Sequence, residues 1–199
     1  MLIYPRWPSA TNLVTNGGCE TDKDGWIAGG AGTTATRITT DSFFGAACGE
    51  VSTNGGAGGR GLYLFDTDGS SRFPVSASTA YTCSAWAKSV SGSLTLLIGM
   101  DWYNAGGTYF STTSATPSMT ADWAQYSASG TSPATAAFAV PFVRINPAVA
   151  AIYHVDGVQL ELGSIATPYI ETDGAAATRG AGLTIAGTAG LLRPVGKVA

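Results

Sequence analysis

Charged residues are scarce in this sequence: Lys, Arg, Asp and Glu make up 12% of its 199 residues, roughly half the usual share for a soluble domain. Histidine occurs once, at His154, so a Ser–His–Asp triad would have to use that one imidazole. The three cysteines are too few and too scattered for a disulfide framework or a zinc site. Cys19, Cys48 and Cys83 stand among small or apolar residues, which predicts buried thiols; one disulfide with one leftover thiol is the alternative.

Long apolar stretches are absent as well. No run approaches the ~18 residues that a membrane-spanning helix needs. The first residues, MLIYPRWPSA, lack the basic end and apolar centre of a signal peptide. We therefore expect no membrane insertion, and release by a route such as lysis if the protein acts outside a cell.

An excess of positive charge is missing too. The net charge is −3 and the sequence pI is about 4.9, which argues against binding to a nucleic-acid backbone. The acidic residues all lie between Cys19 and Asp173, whereas Arg179, Arg193 and Lys197 follow with no acid among them. This basic tail either docks on an acidic neighbour or is simply solvated.

Apolar residues do not recur at helical spacing anywhere along the chain. Short runs of Val, Ile, Thr and aromatic residues alternate instead with Gly, Ser, Asn and Pro clusters, which is typical of strands and turns. The pattern predicts an all-β sandwich of two antiparallel sheets. The predicted strands are 12–14, 34–40, 46–52, 61–65, 71–75, 80–89, 93–102, 109–113, 124–129, 136–146 and 152–162.

Two of these strands can be divided into faces, because side chains alternate along a strand. One face of each is apolar and is predicted to be core: Tyr81, Cys83, Ala85 and Ala87 in the first strand, and Leu94, Leu96, Ile98, Met100 and Trp102 in the second. The opposite faces carry Trp86 among polar residues, and Asp101 with Tyr103.

Both ends differ from the middle of the chain. Residues 1–11 form a proline-braced arm, 12–170 the predicted domain, and 171–199 an apolar, glycine-rich extension too small for a core of its own. An apolar tail of this kind either folds back on the sandwich or packs on another subunit, and we favour the subunit. The residues expected to mediate assembly are Tyr4, Trp7, Leu183, Ile185, Leu191, Leu192 and Arg193.

Three segments resemble one family. NLVTNGGCETDKDGW at 12–26, STAYTCSAWAKS at 78–89 and IYHVDGVQLELG at 152–163 are similar to the first, a middle and the last strand of the jelly-roll carbohydrate-binding modules attached to cellulases and xylanases. MDWYNAGGTY at 100–109 and VQLELGSIATPYIETDG at 158–174 resemble the form of that module found in phage minor tail and other virion proteins. The resemblance implies a jelly roll that binds rather than catalyses.

The resemblance also implies a structural calcium ion. Its ligands would be Glu20, Asp156 and a backbone carbonyl near Gly18, oxygen donors of the kind that calcium prefers. Asp22 and Asp24 are either further ligands or turn residues. Gly157 stands where the family has a second Asp, so that one ligand is lost or a turn is tightened.

A carbohydrate site needs exposed aromatic rings to stack on sugar faces and polar groups to bond the hydroxyls. The residues predicted to supply them are Trp86, Asp101, Tyr103, Asn104 and Tyr109. Trp26, Trp102 and Trp123 are predicted to be core or edge residues.

The sequence thus predicts a non-enzymatic phage virion protein, a capsid decoration or minor tail component, that associates with itself and with other virion proteins. It would contact host-surface glycans through the jelly roll. The alternative is a free carbohydrate-binding module that targets a polysaccharide-degrading enzyme to its substrate. A small hydrolase on the same fold is a third hypothesis.

Overall fold

A computed structural model of the chain describes residues 7–56, 61–146 and 149–181. These residues form fourteen strands, and no helix occurs among them. The strands are β1 (Ala10–Asn12), β2 (Trp26–Gly29), β3 (Thr34–Ile38), β4 (Cys48–Asn54), β5 (Gly61–Leu64), β6 (Phe73–Pro74), β7 (Ala80–Ser89), β8 (Leu94–Tyr103), β9 (Tyr109–Ala115), β10 (Ser118–Met119), β11 (Ala124–Thr131), β12 (Phe138–Ile145), β13 (Ala150–Leu162) and β14 (Ala177–Arg179).

Two antiparallel sheets make up the body of the molecule, as predicted. One has five strands in the order β11-β7-β13-β4-β3. The other has the order β10-β8-β12-β5-β2, with β9 alongside β8 and β6 alongside β12. A separate two-stranded ribbon joins β1 to β14.

The core lies between the sheets and is built from the faces that alternation predicts. Tyr81, Cys83, Ala85 and Ala87 of β7 are buried in it, with Leu96, Ile98, Met100 and Trp102 of β8, while Leu94 packs at its margin. Trp26 is buried too, and its indole Nε1 donates a hydrogen bond to the carbonyl of Asn16 at 2.6 Å. The expectation of buried thiols is confirmed, because all three cysteines are free and buried.

β13 carries a bulge that changes which of its residues face the core. Tyr153 and Val155 face inwards before the bulge, and Val158 and Leu160 after it, so the alternation shifts by one residue. Gly157 sits at this point with φ 55°, a left-handed conformation that glycine adopts without steric cost. The glycine that replaces the family's second Asp thus has a backbone role here.

The segment after β13 folds back over the outer face of that strand. Glu161 is fully buried and accepts hydrogen bonds from the amide and the hydroxyl of Thr167, both at 2.7 Å. Gln159 is also buried and accepts one from the amide of Ile170 at 2.8 Å. Two polar side chains in an outward position are thereby satisfied by the returning chain.

Asn12 ties three segments together at the start of the domain. Its side-chain amide donates to the carbonyls of Val158 and Ile170, and its side-chain oxygen accepts from the amides of Val14 and Leu160, all at 3.1–3.2 Å. All four hydrogen bonds are buried, and the residue is fully shielded from solvent.

Three strands were not predicted. β2 lies in a glycine-rich stretch and β10 has two residues, so neither shows a periodic pattern. β14 forms because β1, some 167 positions earlier, pairs with it in the register Ala10 to Arg179. Strand structure therefore continues beyond residue 170, and the first strand lies beside the last.

We expect Asn12→Ala to lower the free energy of unfolding by about 3 kcal/mol, because it leaves several buried backbone groups without partners. Thr11→Ala is the matched control, since Thr11 makes one exposed hydroxyl–hydroxyl bond to Thr178 and should cost less than about 1 kcal/mol. Urea denaturation of both variants measures the difference. Equal losses would contradict the role assigned to Asn12.

Candidate functional site

An open cleft of about 500 Å³ lies on the outer face of the β8-containing sheet. Aromatic rings supply much of its lining, and the polar groups include one carboxylate and one guanidinium. The lining residues are Tyr63, Phe65, Asp101, Tyr103, Tyr109, Thr112 and Arg144. A cleft with aromatic walls and a few polar groups is the usual form of a small-ligand site.

The register of β8 and β9 builds one side of the cleft. Asp101 pairs with Thr112, and Tyr103 pairs with Tyr109, so four lining side chains form two adjacent rows. The rings of Tyr103 and Tyr109 meet edge to face with their centroids 5.9 Å apart. Tyr109 is 52% exposed and presents its ring to solvent at the cleft margin.

Asp101 supplies the carboxylate of the cleft, a hydrogen-bond acceptor. It is 7% exposed, and its Oδ1 accepts a hydrogen bond from the Thr112 hydroxyl at 2.5 Å. Partial burial raises the pKa of the neighbouring Tyr103 hydroxyl, and the charge of Asp101 raises it further. Tyr103 is therefore a neutral hydroxyl, able to donate as well as accept, at ordinary pH.

The opposite side of the cleft comes from β5 and β12. Tyr63 alternates with the buried Leu62 and Leu64, and Arg144 follows Phe142 on the outer face of β12. The Arg144 Nη1 donates to the Tyr63 hydroxyl at 2.6 Å.

Sequence reasoning missed Tyr63, Phe65, Thr112 and Arg144. Two signals were available: an aromatic residue between two leucines in β5, and the single charge in the otherwise apolar β12. The meeting of these strands beside β8 could not be predicted from either signal.

Asn104, predicted as a sugar ligand, lies in the turn between β8 and β9. Its side-chain oxygen accepts a hydrogen bond from the Thr108 amide at 3.0 Å, and its carbonyl accepts one from Gly107 at 2.9 Å. It is not among the residues that line the cleft. Its observed contacts are those of a turn residue.

Trp86 lies on the other sheet, away from the cleft. Its ring stacks on Phe43 with the centroids 3.7 Å apart and the planes 11° from parallel, and Phe44 meets it edge-on. The five predicted sugar ligands therefore do not form one surface: Asp101, Tyr103 and Tyr109 share the cleft, and Trp86 is half-covered elsewhere.

A polar network centred on Asp41 lies on the same sheet as Trp86. Asp41 forms an ion pair with Lys88, accepts a hydrogen bond from the Trp123 indole at 3.2 Å and lies 3.0 Å from Nδ1 of His154. Partial burial acts to raise the pKa of Asp41, but the hydrogen bonds from Lys88, Trp123 and His154 outweigh it and hold that pKa below its ordinary value. Trp123 thus lies in this outer network next to the edge strand β11.

Glu20 and Asp156, the predicted calcium ligands, lie in one cluster. The Asp156 carboxylate is fully buried and accepts hydrogen bonds from the amides of Phe43 and Phe44 at 2.8 Å and of Gly157 at 2.6 Å. Burial raises the pKa of Asp156 to about 7, and the charge of Glu20 adds to the rise.

Glu20 is only partly satisfied. Its Oε2 accepts a hydrogen bond from the Ala46 amide at 2.9 Å, whereas its Oε1 is buried without a partner. The Tyr169 hydroxyl is also buried without a well-aligned partner. Both atoms border Gly18, at 3.8 Å and 3.0 Å from the point that a Cβ would occupy there.

Arg37 donates from Nε to the carbonyl of Cys19 at 2.9 Å and from Nη2 to the carbonyl of Glu20. A positive charge therefore already lies beside this cluster. Within the described ranges, no group of three or more His, Cys, Asp or Glu residues could hold a metal ion. Any cation here would depend on two carboxylates supplemented by carbonyl or hydroxyl oxygens.

Most of the predicted assembly residues lie outside the described part of the chain: Tyr4, Leu183, Ile185, Leu191, Leu192 and Arg193. Trp7 is described and is half-buried. No helix within residues 7–56, 61–146 and 149–181 is long and apolar enough to cross a membrane.

Solved structures with this architecture include carbohydrate-binding modules. The CBM22-1 xylan-binding domain of Paenibacillus barcinonensis Xyn10C matches with a TM-score of 0.57 and 17% identity, over 79% of this chain and 94% of that one. A family 16 carbohydrate-binding module matches with a TM-score of 0.55 and 19% identity, over 75% and 99%. The protein has a carbohydrate-binding-module-like jelly-roll fold.

The enzymatically active domain of tailspike protein 4 from bacteriophage CBA120 also matches, with a TM-score of 0.55 and 15% identity. That match covers 76% of this chain and 21% of the tailspike chain. No family model and no curated protein sequence matches. Identities below 20% establish a shared fold and not a shared ligand, so the function has to be argued from the site.

Proposed function

We propose that this protein is a non-catalytic binding protein that holds a carbohydrate chain in the cleft between Tyr63, Asp101 and Tyr109. The observation that carries the proposal is the cleft itself, in which three tyrosine rings, that of Tyr109 exposed, accompany a carboxylate and a guanidinium. The carbohydrate-binding modules with the same fold support it.

The chemistry of the lining suits a sugar. The apolar faces of pyranose rings stack on aromatic side chains. Tyr109 offers an exposed ring at the margin of the cleft, and Tyr103 meets it edge to face. Asp101 and Arg144 supply an acceptor and a donor that do not form an ion pair with each other, so both remain able to bond sugar hydroxyls.

The cleft is poorly equipped for hydrolysis. Glycoside hydrolases generally use two carboxyl groups flanking the scissile bond. Among the lining residues Asp101 is the one carboxylate, and Thr112 already bonds its Oδ1. Binding is therefore the function that this lining supports best.

Replacing Tyr109 by Ala should weaken binding of oligosaccharides about tenfold, the loss expected for one aromatic anchor. Phe110→Ala is the matched control, because Phe110 is the next residue in β9, is 36% exposed and does not line the cleft. Calorimetric titration with xylo- and gluco-oligosaccharides measures both variants. Equal weakening by the two changes would refute the placement of the sugar in this cleft.

We further propose that the protein is a phage virion component, a capsid decoration or minor tail protein, held in place by its own copies and other virion proteins. The likeness to a phage tailspike domain supports this reading. So does the β1–β14 ribbon, which brings the entry and exit of the domain together, so that both arms can act on one neighbour. Several copies would let a weak glycan contact act through avidity. A free module attached to a polysaccharide-degrading enzyme is the alternative function.

The two functions differ in the expected mass in solution. A virion component should form a stable oligomer that dissociates when residues 182–199 are deleted, whereas a free module should run as a 20.2 kDa monomer with or without them. Light scattering coupled to size exclusion measures both proteins. A monomeric full-length chain would refute assembly through the tail.

We also propose that the Glu20–Asp156 cluster binds a calcium ion. A cation would offset the repulsion between the two carboxylates, and the unpartnered Glu20 Oε1 would be one of its ligands. Carbonyl oxygens near Gly18 would complete the donor set. Because Asp156 holds the backbone of Phe43 and Phe44, the ion would be structural, fixing the N-terminal segment to β13.

Chelation should therefore lower the melting temperature of the wild type and leave Glu20→Gln unaffected, since the amide removes one negative ligand. Asp24→Asn is the control: its side chain is exposed and makes none of the contacts described for the cluster, so it should keep the wild-type response. Differential scanning calorimetry with and without a calcium chelator measures the shift. An unchanged wild-type melting temperature would exclude the ion.

A further inference from the structure

Arg144 is fixed in place by aromatic rings. Its guanidinium carbon lies 3.6 Å from the centroid of the Phe142 ring and 5.2 Å from that of Tyr63. The hydrogen bond from Nη1 to the Tyr63 hydroxyl also fixes the orientation of the guanidinium group. A guanidinium held in this way loses little further freedom when it binds a ligand.

This fixed cation lacks a counter-charge. No ion pair among the described residues includes Arg144, and its Nε is buried without an acceptor. Lys88, in contrast, is neutralised by Asp41. Arg144 therefore has ring and hydroxyl contacts but no counter-ion, and a ligand carboxylate can supply one.

A second guanidinium lies beside the same site. The Arg72 guanidinium carbon is 4.2 Å from the centroid of the Tyr103 ring, and its Nε is likewise buried without an acceptor. The lining itself holds the guanidinium of Arg144 and the carboxylate of Asp101. Arg72 adds a second guanidinium next to the lining residue Tyr103.

We infer that the cleft selects an acidic glycan, one whose sugar carboxylate pairs with Arg144. The inference rests on the proposed carbohydrate-binding function and names the class of sugar. A carboxylate matches the planar fork of an arginine and forms two parallel hydrogen bonds with it, which a single hydroxyl does not. The Tyr63 hydroxyl accepts from Nη1 and Nε is buried, so the remaining N–H groups of Nη1 and Nη2 are the ones left for a sugar carboxylate.

Asp101 then has the complementary task. It accepts hydrogen bonds from sugar hydroxyls. Because no ion pair joins it to Arg144, Asp101 binds the hydroxyls of the ligand while Arg144 binds its carboxylate. Tyr109, whose ring is exposed at the cleft margin, stacks on a sugar ring. A neutral chain of the same shape would keep the stacking and the Asp101 contacts and lose the ion pair.

Two pairs of ligands test the inference and separate the sources of the carboxylate. One pair is a xylo-oligosaccharide with and without a glucuronic acid branch; the other is sialyllactose and lactose. The wild type should bind the acidic member of at least one pair tenfold more tightly or better. That preference should shrink as sodium chloride is raised from 50 to 500 mM, because salt screens the ion pair.

Arg144→Gln should abolish the preference, because the acidic member loses an ion pair whereas the neutral member loses at most one hydrogen bond to a hydroxyl. Arg144→Lys keeps the charge but not the planar fork, and should retain only part of the preference. If the wild type binds the members of both pairs equally, the acidic-glycan inference fails and carbohydrate binding stands. If it binds none of the four ligands, nor the neutral oligosaccharides, both fail. The wild-type comparison decides the question even if a variant does not fold.

Discussion

The bulge at Gly157 in β13 is the constraint on which the rest of the structure depends. β13 is the central strand of its sheet, and the extra residue shifts its alternation so that Val158 and Leu160 face the core beside Val155. It leaves Asp156 outward, where its carboxylate holds the backbone of the 43–44 loop. A Cβ on Gly157 would come within 2.6 Å of Phe44, so the bulge and the aromatic loop fit together only with glycine.

The two outer faces of the sandwich differ in how far their polar and aromatic side chains are covered by other residues. On the β13 side, the outward residues are bonded among themselves or covered by the returning chain, as with Glu161 under Thr167 and Trp86 under Phe43. On the β8 side, Tyr103, Tyr109 and Arg144 remain open around a cleft. A satisfied polar network contributes rigidity, whereas open rings and an unpaired cation leave interactions for a ligand. The division explains why only the β8 side is proposed to bind a glycan.

Much of the fold could be predicted from local pattern. β7 was predicted at its observed bounds, and the inward faces of β7 and β8 follow from simple alternation, because burial of one sheet face fixes the parity of each strand. Asp101 and Tyr103 were identified as outward residues of that pattern and Tyr109 as an additional aromatic ligand, and the structure brings those three together. Trp86 met the same criterion and lies elsewhere, since alternation gives the face of a strand and not the sheet to which the strand belongs.

The sequence by itself determined the all-β architecture, the buried thiols and the residues that turn away from the core, since each depends on the polarity of a residue and its near neighbours. Only the tertiary structure decided which outward residues meet. Tyr63 and Arg144 are 81 positions apart and join through the pairing of β5 with β12, and β14 exists because β1 lies beside it. Such contacts depend on strand order, and strand order is fixed by how the sheets close over a common core rather than by any local run of residues.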